Sequence, residues 1–215
     1  MKILITGTTS GLGKYLAENI ECDTFNRDCP IPDKFYDVII NCAYDHKSEN
    51  ELEDNINLIE RILTIPCGYL LHMSSIDVYR PESSLYAYTK LEIERLIRSS
   101  FDNYCILRLG KLVGSYMRRD NLVKMFTGEQ MSLSPESSFC LMSYENLLEY
   151  IDTNFIESVA SGLTMNFGSK RVTLKEIANT FGLDPKWGEY TYISPDVGAG
   201  KVGFTDYEQI IELAK

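Results

Sequence analysis

Four short runs, KILIT, DVIINCA, GYLLHMSS and YCILRLG, recur along the first half of the chain, and each is apolar almost throughout. A strand buried on both faces reads this way, whereas a half-solvated strand alternates apolar and polar residues. Between these runs lie GLGKYLAENI, ELEDNINLIERIL and AYTKLEIERLIRSSF, whose apolar residues fall at the three- and four-residue spacing of amphipathic helices. Strand, helix, strand, helix in this order predicts an α/β fold with a doubly wound parallel sheet. Ligands of such sheets bind at the carboxyl ends of the strands. From about Lys111 the alternation loosens. MSYENLLEYIDTNF reads as a helix with Ser143 as N-cap. In VTLKEIANTFG, Thr173 and Glu176 form a capping box, Val172 and Ile177 a hydrophobic staple, and Gly182 ends the helix. The tail, SPDVGAGKVGFTDYEQIIELAK, is glycine-rich and then helical.

The formal charge of −10 argues against nucleic acid or an anionic membrane as partner, since both need a basic face. An anionic small molecule needs only a local group of donors and is not excluded. The six cysteines (Cys22, Cys29, Cys42, Cys67, Cys105, Cys140) contain no C-x-x-C pair and do not cluster with His46 or His72, so buried thiols in a reducing compartment are expected, with no metal site. The first apolar run is too short for a signal peptide, and no stretch nears the roughly 18 apolar residues of a membrane helix. These features predict a cytoplasmic protein.

The turn TGTTSGLG joins the first strand to the first helix. There the first amides of the helix can point at an anion, aided by the helix dipole. Gly7, Gly11 and Gly13 permit positive φ and a close approach by a pyrophosphate. With Thr9, Ser10 and Leu12 they form a candidate dinucleotide cradle, the mark of a Rossmann-like sheet. The second strand reads as CDTFNRD. A basic residue at its end suits a 2′-phosphate and an acidic one suits the ribose hydroxyls. Asn26 and Arg27 thus point to NADP; a strand ending one residue later would bring Asp28 to the ribose and favour NAD.

Further on, Tyr86 and Lys90 stand four residues apart on one helix face, in a stripe continued by Ile93 and Ile97. A tyrosine at its ordinary value of about 10 is a poor base near neutrality. A nearby ammonium favours the phenolate and brings the group toward working pH. Tyr86 could then give or take the proton on a substrate oxygen, with Ser75, at the end of the preceding strand, donating a hydrogen bond to the same oxygen. Tyr88 lies two residues from Lys90 and faces elsewhere; Tyr79 reads as packing. His72, mid-strand, reads as a satisfied core residue, and His46 either borders the site or lies on the surface.

The spacing TG-x-x-x-G-x-G resembles the short-chain dehydrogenase/reductase superfamily, in the form carried by its single-domain members. The rest of the chain resembles the extended, sugar-nucleotide-modifying members, of the dTDP-4-dehydrorhamnose reductase and NAD-dependent epimerase/dehydratase kind. Ser74-Ser75-Ile76-Asp77-Val78-Tyr79 resembles their SS-x-x-VYG strand end, with Arg80 in the place of glycine. ILRLGKLVG resembles LRPGNVYG, with Leu109 in the place of proline; MSYENLLEYI and MNFGSKRVTLKEIANTFG match two later segments. The resemblance implies Ser75, Tyr86 and Lys90 as catalytic residues, with Tyr86 and Lys90 also among those that bind the coenzyme, Lys90 by hydrogen-bonding the nicotinamide ribose. It implies that Asn41 and Ala43, matching an N-x-A element after the family's fourth strand, line the adenosine pocket, and that Asn55 steadies the sheet.

It further implies an NAD(P)-dependent oxidoreductase, either a 4-keto reductase or an epimerase of nucleotide-sugars, and a possible homodimer. Dehydratases add an Asp-Glu pair after the serine; Ile76-Asp77 stands there instead. Residues 1–110 would form the coenzyme-binding core with the catalytic residues. Residues 111–215 would complete it and add a small C-terminal α/β substrate lobe, reduced because extended members run past 300 residues. Two other functions fit the same pattern: a redox-sensing or regulatory NAD(P)-binding protein without turnover, and a small carbonyl or flavin-type reductase.

Overall fold

A computed structural model describes residues 1–154, 161–196 and 207–212. The elements run β1 (Ile3–Thr6), α1 (Gly11–Asn19), β2 (Asp23–Phe25), β3 (Tyr36–Asn41), α2 (Glu51–Leu63), β4 (Cys67–Ser75), α3 (Leu85–Ser100) and β5 (Tyr104–Leu109). There follow β6 (Lys111–Val113), α4 (Asn121–Thr127), β7 (Ser138–Phe139), β8 (Leu141–Ser143), α5 (Tyr144–Asn154), β9 (Leu163–Phe167), β10 (Val172–Thr173), α6 (Leu174–Thr180) and α7 (Tyr207–Glu212). All four apolar runs are strands. The glycine-rich part of the tail lies outside the described residues.

The chain divides into two compact units, the first comprising residues 1–108 and 148–165. Its six-stranded sheet has the order β2-β1-β3-β4-β5-β9, with β2, β1, β3 and β4 paired in parallel. This is the doubly wound Rossmann order with its outermost strand missing on the β2 side. The chain passes from β2 to β3 through residues 26–35, where a full unit would insert a further strand and helix, and no strand is present there among the described residues. The N-x-A element consequently follows the third strand of this chain. β2 itself is three residues long, shorter than the sequence pattern suggests, and Asn26 and Arg27 lie just beyond its end.

Register decides what meets at the carboxyl edge. Thr6 pairs with both Phe25 and Asn41, and Asn41 with His72, so the residues that follow each of these strands emerge along one line. The switch in chain direction falls between β1 and β3, where a doubly wound sheet opens its binding crevice. Beneath it Leu4, Phe25, Ile39, Leu70 and Ile106 of the strands pack with Ile59 and Ile62 of α2 and Ile93 and Ile97 of α3. Each such side chain contributes roughly 1.5–3 kcal/mol by leaving water.

The second unit comprises the described residues among 109–147 and from 166 on. It holds a parallel pair, β6 with β8, and an antiparallel pair, β7 with β10. Its core joins Leu122, Met125, Leu141, Val172, Leu174, Ile177 and Ile210. Asp120 caps α4 by accepting the N–H groups of Leu122 (2.9 Å) and Val123 (3.4 Å). The predicted capping box is present: Thr173 Oγ1 accepts from Glu176 N at 3.1 Å while the Glu176 carboxylate accepts from Thr173 N at 2.7 Å. Ser143 likewise accepts the N–H of Asn146 at the start of α5.

Candidate active site

The three glycines of the first turn have different tasks. A Cβ on Gly7, whose φ is +72°, would lie 2.6 Å from the backbone of Ala43, and one on Gly13 would lie 2.3 Å from the Gly7 carbonyl oxygen. These two let β1, α1 and the end of β3 touch backbone to backbone. Gly11 differs: its φ is +57° and nothing stands within 4 Å of where its Cβ would be. The open space is therefore over Gly11, at the first residue of α1, and Ser10 leaves the helix start without a side-chain cap. A glycine cradle with free space above an uncapped helix start fits a dinucleotide's pyrophosphate. Thr9 and Ser10 are exposed beside it, and Leu12 is half-buried.

Around the cradle the wall is fixed by hydrogen bonds. Thr6 Oγ1 donates to Asn41 Oδ1 at 2.6 Å, and the same oxygen accepts the N–H of Ala43 at 3.0 Å. Asn41 Nδ2 donates to His72 Nδ1 at 3.0 Å, so the proton of the neutral ring sits on Nε2. Burial holds His72 well below its ordinary value, helped by the charges of Lys90 and Arg98. His72 is thus a core residue, but only half satisfied: its Nε2 has no partner among the described residues. Asn26 Oδ1 accepts the N–H of Thr8 at 3.2 Å and steadies the glycine turn from β2. Asn55 of α2 grips the loop after β3, accepting from Asp45 N at 2.7 Å and donating to the Asp45 carbonyl at 3.1 Å.

Arg27 is exposed and ion-paired with Asp45, whose side chain is nearly covered. Arg61 of α2 donates to the carbonyls of Arg27 and Cys29, fastening the crossover that replaces the missing strand.

Ser75 ends β4, and its hydroxyl accepts the N–H of Asp77 at 3.2 Å, opening the short turn Ile76–Tyr79. Arg80 closes that turn with φ −136°, a conformation open to any residue, so glycine is not needed there. Tyr86 and Lys90 lie in the first turns of α3, whose start is capped by Ser84 accepting Ala87 N at 3.1 Å. Lys90 is buried and donates to the Met73 carbonyl of β4 at 2.9 Å. Burial lowers its ammonium to about 8, against the pull of Cys42 and Glu94. Tyr88, in contrast, is exposed.

Two residues that the sequence reading did not single out, or left open, close over this pair. The Lys90 ammonium lies 4.7 Å from the ring centroid of Tyr44, and that ring meets Tyr86 edge-on at 5.1 Å. His46 stacks on Tyr86 at 5.4 Å and 25°, and so borders the site. Burial raises the Tyr44 hydroxyl far above its ordinary value, reinforced by its hydrogen bond to Glu51, so it stays protonated. β4, which ends in Ser75, and α3, which carries Tyr86, are tied together at Lys90 through its bond to Met73.

A buried ammonium weakens the fold that holds it. Lys90→Met is expected to raise the free energy of unfolding at pH 7 by up to about 2 kcal/mol, after allowing for the lost bond to Met73, and the unfolding midpoint with it. The folded value lies below the unfolded one, so the wild-type penalty is complete below about pH 8 and fades as pH rises toward 10.5. Thermal melts across pH 7–10 should show the gap between variant and wild type closing. A variant less stable than wild type at pH 7 would contradict this account of Lys90.

No family model and no curated protein matches the sequence. Solved structures do match in fold. MoeE5 in complex with UDP-glucuronic acid and NAD is 17% identical, with a TM-score of 0.72, covering 92% of this chain and 88% of that one. The dTDP-4-dehydrorhamnose reductase of Bacillus anthracis in complex with NADP is 15% identical, with a TM-score of 0.73 and coverage of 99% and 96%. The UDP-glucose 4-epimerase of Thermotoga maritima with UDP-glucose is 13% identical, with a TM-score of 0.68 and coverage of 100% and 97%. At these identities the likeness is one of fold alone, the Rossmann-like arrangement of a parallel sheet flanked by helices that these three structures share with this chain.

Proposed function

We propose that the chain is an NAD(P)-dependent oxidoreductase that acts on a nucleotide-sugar, as a 4-keto reductase or an epimerase. What supports this reading above all is the pair on α3: Tyr86 and Lys90 on one helix face, with Lys90 buried and easily deprotonated beside the crevice that the glycine turn opens. A nicotinamide coenzyme, when bound, supplies the hydride-transfer chemistry. Gly7, Thr9, Ser10, Gly11, Leu12 and Gly13 would hold its pyrophosphate, Asn41 and Ala43 its adenosine side, and Lys90 its nicotinamide ribose. Asn26 and Arg27 would meet a 2′-phosphate, which makes NADP the preferred coenzyme and NAD the alternative. On the substrate, Tyr86 holds or gives the proton at the reacting oxygen and Ser75 donates a second hydrogen bond to it. Lys90, charged below about pH 8, makes the phenolate easier to form. Residues 1–110 carry these functions and residues 111–215 the smaller substrate lobe; the molecule works in the cytoplasm, without nucleic acid or membrane, and is able to pair with a second copy.

Fluorescence titration with NADPH and NADH, followed by NADPH oxidation assays with 4-keto sugar nucleotides, tests the proposal. Binding with turnover is expected. Binding without turnover on any carbonyl offered would replace it with the regulatory reading, and no binding would end both.

A further inference from the structure

Resting on the dinucleotide reading above, we infer that Asp45 is a coenzyme-specificity residue: by holding the Arg27 guanidinium it limits how strongly the site can prefer a 2′-phosphorylated coenzyme over its unphosphorylated form.

Arg27 and Asp45 stand at the ends of two strands on opposite sides of β1, because the sheet runs β2-β1-β3. The ion pair therefore spans the adenosine end of the crevice. The two partners are unequal. The Arg27 side chain is 57% exposed and can move, whereas that of Asp45 is 11% exposed and pinned. The backbone of Asp45 is held at its N–H and its carbonyl by Asn55. Its second carboxylate oxygen accepts the N–H of Lys47 at 2.9 Å. Hydrogen bonds from Arg27 and Lys47 keep its carboxyl below the ordinary range, so it is charged at neutral pH.

A phosphate approaching Arg27 therefore meets a fixed carboxylate as well as a cation. Asp28 and Asp54 add negative charge around the same guanidinium. The phosphate must either share the fork of Arg27 with Asp45 or draw Arg27 away and leave Asp45 unpaired. Both reduce the return on a charge-assisted contact. An adenosine ribose with a free 2′-hydroxyl brings no such conflict, so NADH remains usable. The crossover after β2 holds the backbone of Arg27 in turn, since Arg61 of α2 donates to its carbonyl.

The test is a cycle of binding measurements on the coenzyme-free chain. NADPH, NADH, 2′,5′-ADP and 5′-AMP are titrated by calorimetry into wild type, Asp45→Asn, Arg27→Met and the double variant, each first checked for its unfolding midpoint and circular dichroism. Asparagine can still accept the Lys47 N–H, which guards the loop. Asp45→Asn is expected to tighten NADPH and 2′,5′-ADP by about tenfold and to leave NADH and 5′-AMP unchanged. In the Arg27→Met background the same change should tighten NADPH clearly less, by the lost repulsion from the carboxylate alone. An unaltered NADPH-to-NADH ratio in a folded Asp45→Asn, or equal tightening of both coenzymes, would overturn the inference while leaving the dinucleotide site standing. Should Asp45→Asn not fold, Asp45→Ser takes its place in the cycle under the same criteria. Wild-type protein that takes up none of the four ligands would overturn the underlying reading itself.

Discussion

Replacing Tyr86 with phenylalanine is expected to lower kcat for carbonyl reduction by roughly two to four orders of magnitude while the affinity for NADPH stays unchanged. The variant removes one oxygen and keeps the ring that packs edge-on against Tyr44 and face-on against His46, so the wall of the site is retained. Its coenzyme contacts are assigned to the glycine turn and Lys90, which the change leaves in place. The pH profile of the wild-type enzyme gives a second readout. Lys90 is cationic in the folded protein below about pH 8 and neutral above it. Its support for the tyrosine should fade through that point, so a falling alkaline limb with a midpoint near 8 is expected, and Lys90→Met should lack it. Undiminished turnover by Tyr86→Phe would remove Tyr86 as the proton carrier, whatever the coenzyme does.

Much of this arrangement could be read from residue pattern because local chemistry decides it. The four apolar runs became strands, since a segment buried on both faces has no other pattern available to it. The Thr173–Glu176 box formed because its partners are three residues apart and need no tertiary context. Tyr86 and Lys90 share a face for the same reason. What could not be read depends on partners distant in sequence. Asp45 looks like an ordinary loop carboxylate until the sheet order brings β2 and β3 to either side of β1. Tyr44 meets Lys90 from a loop that Asn55, eleven residues on, anchors at Asp45. The crossover without a third strand left no composition signal, since prolines and aspartates suit a turn or a connecting segment equally. Glu94 is the instructive miss. In LEIERLI it reads as a solvated charge, although it lies four residues from Lys90 and eight from Tyr86 and so continues their stripe.

That position makes Glu94 the largest expected effect on stability. Its side chain is fully buried. It accepts from Ser74 Oγ at 2.6 Å, from Arg108 through Nε at 2.9 Å and Nη2 at 2.6 Å, and from Arg98 at 2.8 Å. Burial opposes its charge, but the bonds from Arg108 and Ser74 outweigh this and hold the carboxyl below its ordinary value. Ser74 belongs to β4, Arg108 to β5, and Glu94 to α3, so one carboxylate joins the helix of Tyr86 and Lys90 to two strands. Glu94→Leu strands the largely buried Arg108, and breaking a buried pair from one side costs about 3–5 kcal/mol. For a chain of this length the unfolding midpoint should fall by on the order of 10 °C. Glu94→Leu with Arg108→Met removes both charges and should recover most of the loss, because the desolvation of Arg108 goes with it. The acid limb supplies the sign. With a folded value below the unfolded one, the contribution of Glu94 is complete above the ordinary carboxyl range and lost as pH falls through the folded value. The gap between wild type and Glu94→Leu should therefore narrow in acid, as the wild-type carboxylate becomes protonated and releases both arginines. A Glu94→Leu protein as stable as wild type at neutral pH would show that the helix is held by its apolar stripe alone, with Ile93 and Ile97 sufficient to place Tyr86.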